Sequence, residues 1–325
     1  MIVPQFWAEG RAQFREKKKS VTVRRFGWSD ASEAEAQANA DARAQEALRR
    51  VLSGEKLRRR EPKIPYNGAD GMPIREEIVA RHGDTIITRN SYGARCLNTP
   101  DVLFADVDFE TGSTEPFSCI FIAVAFIAAI TLGIRLHYKL LAFGLGIAAI
   151  FLSHFIAAAF HRIRQRTKGD PLIAARERIR GFLAKHPDWS LRIYRTPAGL
   201  RVLAMHSTFS PRDPAVAEFF RALGTDRVYV RMCTNQHCFR ARVSAKPWRI
   251  GIPDHMRPRP GVWPVNPERL PLRTAWLEKY DAAAKAFAAC ALLETLGSGA
   301  MHPKARAVQE LHDNLSRATA GLPMA

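Results

Sequence analysis

Two runs without a charged residue, 117–134 and 140–160, interrupt a chain in which 25% of the residues are Asp, Glu, Lys or Arg. They hold 18 and 21 residues, close to the roughly 20 that an α-helix needs to cross the hydrocarbon of a bilayer. Only Arg135 to Lys139 separate them, so the expectation is a tight transmembrane helical hairpin. The alternative is a buried core hairpin, although core helices seldom run this long without a charged face. An even number of spans leaves both flanks on one side. HRIRQRTK follows the second run, with Arg162, Arg164, Arg166 and Lys168. The positive-inside rule then makes this an integral protein of an inner or plasma membrane with both termini cytoplasmic. The N-terminal MIVPQFWAEGRAQFREKKK lacks the apolar stretch of a signal peptide, so the hairpin itself is expected to direct insertion.

Charge is distributed unevenly along the 325 residues. Residues 1–116 carry 19 Lys and Arg against 18 Asp and Glu, whereas 161–325 carry 28 against 13. Most of the net charge of +18 therefore lies in the C-terminal half. A basic region of this kind attracts an anionic ligand: nucleotide, nucleic acid or anionic lipid. Five cysteines without a regular framework fit a reducing compartment. Cys233, His237 and Cys238 have the types of metal ligands, but three ligands with no second knuckle make a poor zinc site, and the intervening Thr-Asn-Gln reads equally well as a hairpin turn.

The punctuation of the chain gives its organisation. Asp30 and Glu33 form a capping box ahead of an alanine-rich helix that ends near Gly54. Between 74 and 109 four short β runs alternate with turn residues, the last being VLFADVDF. Asp170-Pro171 and Asp213-Pro214 each supply an N-cap and an N1 proline, opening helices over 171–185 and 214–223. Strands are expected at 191–195, 200–206 and 227–233, and helices at about 272–297 and 303–319. The regions are thus 1–73 (N-terminal, with the helix), 74–116 (first strands), 117–160 (hairpin), 161–265 (the rest of the α+β domain) and 266–325 (C-terminal helices). The middle elements read β-α-β-β-α-β, a split, ferredoxin-like arrangement with the hairpin inserted after its first strand.

Asp106 and Asp108 end that first strand. An i, i+2 spacing puts both carboxylates on one face of a strand, where they can share Mg²⁺ or Mn²⁺ with substrate phosphates. With strand 200–206 running parallel to the first, and 227–233 antiparallel on its other side, His206 and Asp226 are expected at the same edge. Arg201, Arg240 and Arg242 alternate on β runs near Phe239 and Trp248, a pattern that grips phosphates on a nucleic-acid backbone or lines the wet face of a sheet. His154, in the second apolar run, is expected to hydrogen-bond within the hairpin to Ser153 or Thr131.

VLFADVDF, TPAGLRVLAMH and FRARVSAKPWRIG together resemble the palm of archaeo-eukaryotic primases and primase-polymerases, over about residues 100–252 without the hairpin. The resemblance implies that Asp106 and Asp108 hold metal, that His206 contacts a nucleotide phosphate and that Asp226 completes the metal site. Arg240, Arg242, Lys246 and Arg249 would face phosphates. The chain departs from that pattern at Ala204, where the family has serine, and at Thr225, where it has an apolar residue. Two functional expectations result: a metal-dependent, nucleotide-handling domain of primase-like kind held at the membrane, or a non-catalytic membrane scaffold that binds anionic lipid or a protein partner through its basic face.

Overall fold

The computed structural model describes residues 1–16, 19–61, 71, 73–109, 169–259, 261 and 263–325, with scattered positions between 123 and 155. It divides into two compact units, residues 109–178 and the larger remainder formed by 1–108 with 179–325. In the smaller unit the Thr131 hydroxyl donates to the carbonyls of Ile127 and Ala128 at 3.0 and 2.9 Å; His154 and Ser153 lie outside the described residues. Everything below concerns the larger unit.

Strands β1 (Phe6–Glu16) and β2 (Lys19–Ser29) form an antiparallel hairpin covered by helix α1 (Glu33–Leu52). The cap of α1 is Ser32, whose side chain accepts from the Glu35 amide, two residues beyond the expected Asp30. Close approach is possible because the contact is made of glycine and alanine. A Cβ on Gly27 would lie 2.1 Å from the Ala40 nitrogen, and one on Gly10 would lie 2.3 Å from its carbonyl oxygen. Either substitution forces the helix off the hairpin.

Two four-stranded antiparallel sheets form the rest. In the first, β3 (Glu77–His82), β4 (Thr85–Arg89), β5 (Arg95–Thr99) and β9 (Phe239–Arg242) lie side by side in that order. In the second the order is β10 (Ala291–Gly297), β7 (Ser190–Thr196), β8 (Gly199–Ala204) and β6 (Phe104–Asp108). Residues 179–185 of helix α2 (Pro171–Lys185), whose first part belongs to the smaller unit, and helices α3 (Pro214–Leu223), α4 (Arg227–Gln236), α5 (Leu270–Ala284) and α6 (Pro303–Ser316) complete it. Helix α3 is bounded by local chemistry: Asp213 accepts from the Ala215 amide, Pro214 opens the first turn, and Gly224 closes the last in the left-handed region at φ 71°. Both flanks of the long apolar region share these sheets, since β5 pairs with β9 and β6 with β8.

The fold is α+β, but it corrects the sequence reading in three ways. First, 227–236 is helix α4 rather than a fourth strand. Its buried residues Tyr229, Met232, Cys233 and Gln236 recur at helical spacing, and Asp226 caps it by accepting from the Tyr229 amide at 2.7 Å. The β-α-β-β-α-β order is therefore not completed, and β10 takes the place beside β7 within a segment expected to be helical. Second, β8 runs antiparallel to β6, because the tight turn at Pro197-Ala198 reverses the chain between β7 and β8. Third, no helix among the described residues is long and apolar enough to cross a membrane. The longest, α1, has 20 residues and is studded with Glu and Arg; the others have at most 15. This corrects the membrane-spanning hairpin, and with it the bilayer partner, the inner-membrane localisation and the membrane scaffold. Most of 117–160 lies outside the described residues.

Candidate functional site

Strand β6 is the edge of its sheet, so one side of its backbone has no strand partner. Helix α4 satisfies it instead. The Asp226 amide donates to the Asp106 carbonyl at 3.0 Å, and the Tyr229 hydroxyl donates to the Phe104 carbonyl at 3.0 Å. The same hydroxyl accepts from the Arg240 amide on β9 at 3.3 Å. Tyr229 thus ties the edge of one sheet to the edge of the other, and a buried hydroxyl with both roles filled is what keeps this junction closed.

A cleft of about 350 Å³ opens at the junction, lined by Asp106, Asp108, Asp226, Arg201, Arg242 and Lys246 among others. This volume lies within the range of small-molecule sites. Of the residues expected from sequence, the three aspartates and Arg201, Arg240, Arg242 and Lys246 line it. Asp106 and Asp108 share a face, as the strand period requires. Asp226 arrives through the start of α4, not through a strand.

Arg201 lies directly across from Asp106 in the β6–β8 register. Its Nε donates to Asp106 Oδ1 at 2.8 Å and its Nη2 to Oδ2 at 3.3 Å. Its Nη1 donates to the Arg242 carbonyl on β9 at 2.8 Å. The side chain is only 3% exposed, whereas that of Asp106 is 28% exposed. A buried guanidinium needs such a partner, because an unpaired charge is expensive out of water.

Asp108 takes no hydrogen bond from any described residue, and it reaches solvent. The cleft walls nonetheless exclude enough water to raise its carboxyl above the ordinary carboxylate value, and the carboxylates of Asp106 and Asp226 raise it further, against Lys246 and Arg201. Across the cleft Lys246 is half-buried. Burial lowers its ammonium, Arg242 and Arg249 lower it further, and Asp108 and Asp106 oppose them. Arg242 donates from Nη1 to the Ser244 carbonyl at 2.8 Å. Arg240 differs: its Nη2 bonds both oxygens of Glu76, at 2.8 and 2.6 Å, and Glu76 also accepts from the Thr88 hydroxyl at 2.6 Å. The charge of Arg240 is thus neutralised inside the first sheet.

Two expected residues do not line the cleft. His206 follows the far end of β8, because antiparallel pairing sets Gly199, not Ala204, against Asp108. Its ring lies 4.5 Å from Trp189, its Nδ1 accepts from the Ser190 amide at 3.3 Å, and burial lowers its pKa. Arg249 sits in a short turn after Lys246, close enough to Asp108 for its charge to be felt, but outside the lining. Cys233, His237 and Cys238 end helix α4, with His237 in the left-handed region and both thiols buried. Burial pushes the Cys238 thiol up to about 12. Among the described residues no group of three or more His, Cys, Asp or Glu is gathered as a metal cage.

Three features of the site escape the sequence reading. Tyr229 reads as a strand residue there, and only the helical spacing of 229, 232, 233 and 236 could have moved it. Tyr92 also lines the cleft, with its ring 5.2 Å from the exposed Trp248. His312 and Asp313 lie behind Arg201, and no motif marks them. No family model, no curated protein and no solved structure matches this chain.

Proposed function

We propose that the cleft binds the phosphates of a nucleotide together with a divalent cation. The observation that carries this reading is that one cleft gathers Asp106, Asp108 and Asp226 with Arg242 and Lys246, while Arg201 in its lining is already paired with Asp106. A carboxyl such as Asp108, raised by burial and by two neighbouring carboxylates, gains from a nearby cation, and oxygen donors suit Mg²⁺ or Mn²⁺. Two carboxylates plus substrate phosphates are the usual complement for Mg²⁺, which fits the absence of a larger cage among the described residues.

Asp106 and Asp108 would hold the cation, whose chemistry there is to neutralise and polarise phosphate oxygens. Arg201 holds the Asp106 carboxylate in place with two hydrogen bonds. Lys246 and Arg242 face the remaining phosphate charge, Lys246 as a compact point charge. The primase-like reading is supported by the two strand aspartates and Asp226. It gains nothing from His206, which stands among aromatic rings at the other end of β8.

Isothermal titration of the full chain with ATP and GTP, each with and without Mg²⁺, tests the reading. Binding is expected only when nucleotide and cation are present together, and Asp106→Asn/Asp108→Asn is expected to abolish it. Absence of heat with either nucleotide under both conditions overturns it.

A further inference from the structure

Behind the cleft, on the face of the second sheet that bears Asp106, Arg201 and Tyr194, helix α6 places His312 and Asp313 in the core. His312 is fully buried and Asp313 is 8% exposed. The imidazole lies between the rings of Phe104 and Tyr194, at 5.3 and 4.7 Å. Its Nδ1 is 3.0 Å from Asp313 Oδ1, and its Nε2 is 3.3 Å from Arg201 Nη1. The Cys290 thiol faces the same Nε2 at 3.9 Å.

The proton on this imidazole is assigned by its neighbours. A guanidinium has donors only, so Nε2 acts as the acceptor toward Arg201, and the ring is neutral with its proton on Nδ1, directed at Asp313. Burial lowers the imidazole's pKa and Arg201 lowers it slightly, but Asp313 and Cys290 raise it more, so it stands above the ordinary histidine value; the 3.3 Å contact of Nε2 with a donor-only guanidinium is one that the neutral ring makes. Asp313 is a firm anchor. It also accepts from Arg192 Nη2 at 2.7 Å and from Gln309 Nε2 at 2.6 Å. Burial opposes its ionisation, but hydrogen bonds from His312, Tyr194 and Gln309 hold its carboxyl down to about 2.

With His312 included, four of the five N–H groups of Arg201 have acceptors: two on Asp106, one on the Arg242 carbonyl and one on His312. A guanidinium held at both ends cannot rotate about its Nε–Cζ bond without breaking bonds in the core. We propose that His312 and Asp313 are positioning residues of the cleft, locking Arg201 from behind so that Asp106 presents its carboxylate in one orientation. This deepens the nucleotide–cation reading and rests on it for the ligand, though not for the lock itself.

Two readouts on the full chain keep the lock and the ligand distinct. Nitrogen-15 NMR of the Arg201 guanidinium, assigned by its loss in Arg201→Lys, reports rotation; titration with Mn²⁺–ATP reports binding. In the native chain the Arg201 Nη–H signals are expected to be resolved. His312→Leu removes the acceptor and is expected to average them and to weaken Mn²⁺–ATP about tenfold. Asp313→Asn can donate its amide to Nδ1, turning a proton on Nε2 toward Arg201, and is expected to do the same even if His312→Leu fails to fold. His312→Gln, whose carbonyl reaches the Nε2 position, is expected to restore resolved signals and near-native affinity. Resolved signals in either disabling variant overturn the proposal, as does averaging in His312→Gln. Averaged signals in the disabling variants with no Mn²⁺–ATP binding in any protein, native included, support the lock while rejecting the nucleotide reading.

Discussion

Arg240 and Arg201 are both nearly sealed from water, and each grips one carboxylate with two bonds, yet their acids live in different surroundings. Glu76 is 1% exposed and accepts a third hydrogen bond from Thr88. Asp106 is 28% exposed and lies at a solvent-filled wall beside Asp108. The first pair is a closed unit: each charge exists to cancel the other, and an apolar pair of equal volume can serve as well. The second is open. It holds an anion at a surface with a buried cation, and that anion stays open to the cleft. Two neighbouring pieces of sheet thus hold one ion pair whose acid is sealed and one whose acid reaches the cleft.

Breaking the closed pair gives the largest effect. Glu76→Ala leaves Arg240 buried and uncompensated, and a loss of about 3–5 kcal/mol in urea unfolding is expected. The double change Glu76→Leu/Arg240→Met should recover most of it. If the double variant is as unstable as the single one, the closed pair is more than a cancelled charge. At the open pair, Arg201→Met strands an anion that water can still reach, so the expected loss is smaller, about 2 kcal/mol. Nucleotide affinity should nevertheless fall further than in Glu76→Ala, measured on the folded protein. Equal losses of affinity in the two variants would erase the distinction.

Asp108→Asn tests the cleft with little cost to the fold. Affinity for Mg²⁺–ATP is expected to drop at least tenfold, about 1.4 kcal/mol. Stability should move the other way. The folded state raises the Asp108 carboxyl, so it favours the protonated form, and its stability falls as pH rises from the unfolded value through the folded one. Removing that charge should therefore raise the melting temperature at pH 7 by about 1–2 °C, since the group reaches solvent, with the gain vanishing near pH 3. A loss of stability at pH 7 would contradict the crowding of the three acids. The smallest effect belongs to Lys246→Gln, where a half-buried ammonium over the Trp248 ring, 5.5 Å away, is removed. Affinity for nucleotide should weaken about threefold, more at low salt than at high.

Much of this contrast was hidden in the sequence, for definite reasons. The strands of 74–109 and helix α3 were legible because turn residues and caps act locally: Gly83-Asp84 turns β3 into β4, and Asp213-Pro214 and Gly224 frame the helix. Arg-Val-Tyr-Val alternates like a strand, but the cap at Asp226 and the helical spacing of 229, 232, 233 and 236 go with a helix. Strand β10 follows an alanine-rich stretch with no Gly or Pro between Leu272 and Leu296 to mark the change. For the site, the i, i+2 spacing placed Asp106 and Asp108 correctly. Asp226 reached the cleft for a reason the pattern did not contain, and His206 misses the cleft because β8 runs antiparallel to β6, not parallel as the sequence reading expects, and so sets Gly199 beside Asp108. Nothing in the residues around His312 distinguishes it from an ordinary helix position until the antiparallel sheet sets Arg201 above it.

The claim that the open pair belongs to a binding site is tested most directly by locating a cation. Crystals of the full chain soaked with Mn²⁺ and a non-hydrolysable ATP analogue should give an anomalous peak within coordination distance of Asp106 and Asp108, with phosphate density toward Lys246 and Arg242. Manganese and phosphate bound elsewhere, with the Asp106–Asp108 cleft holding only water at saturating concentrations of both, would contradict the account.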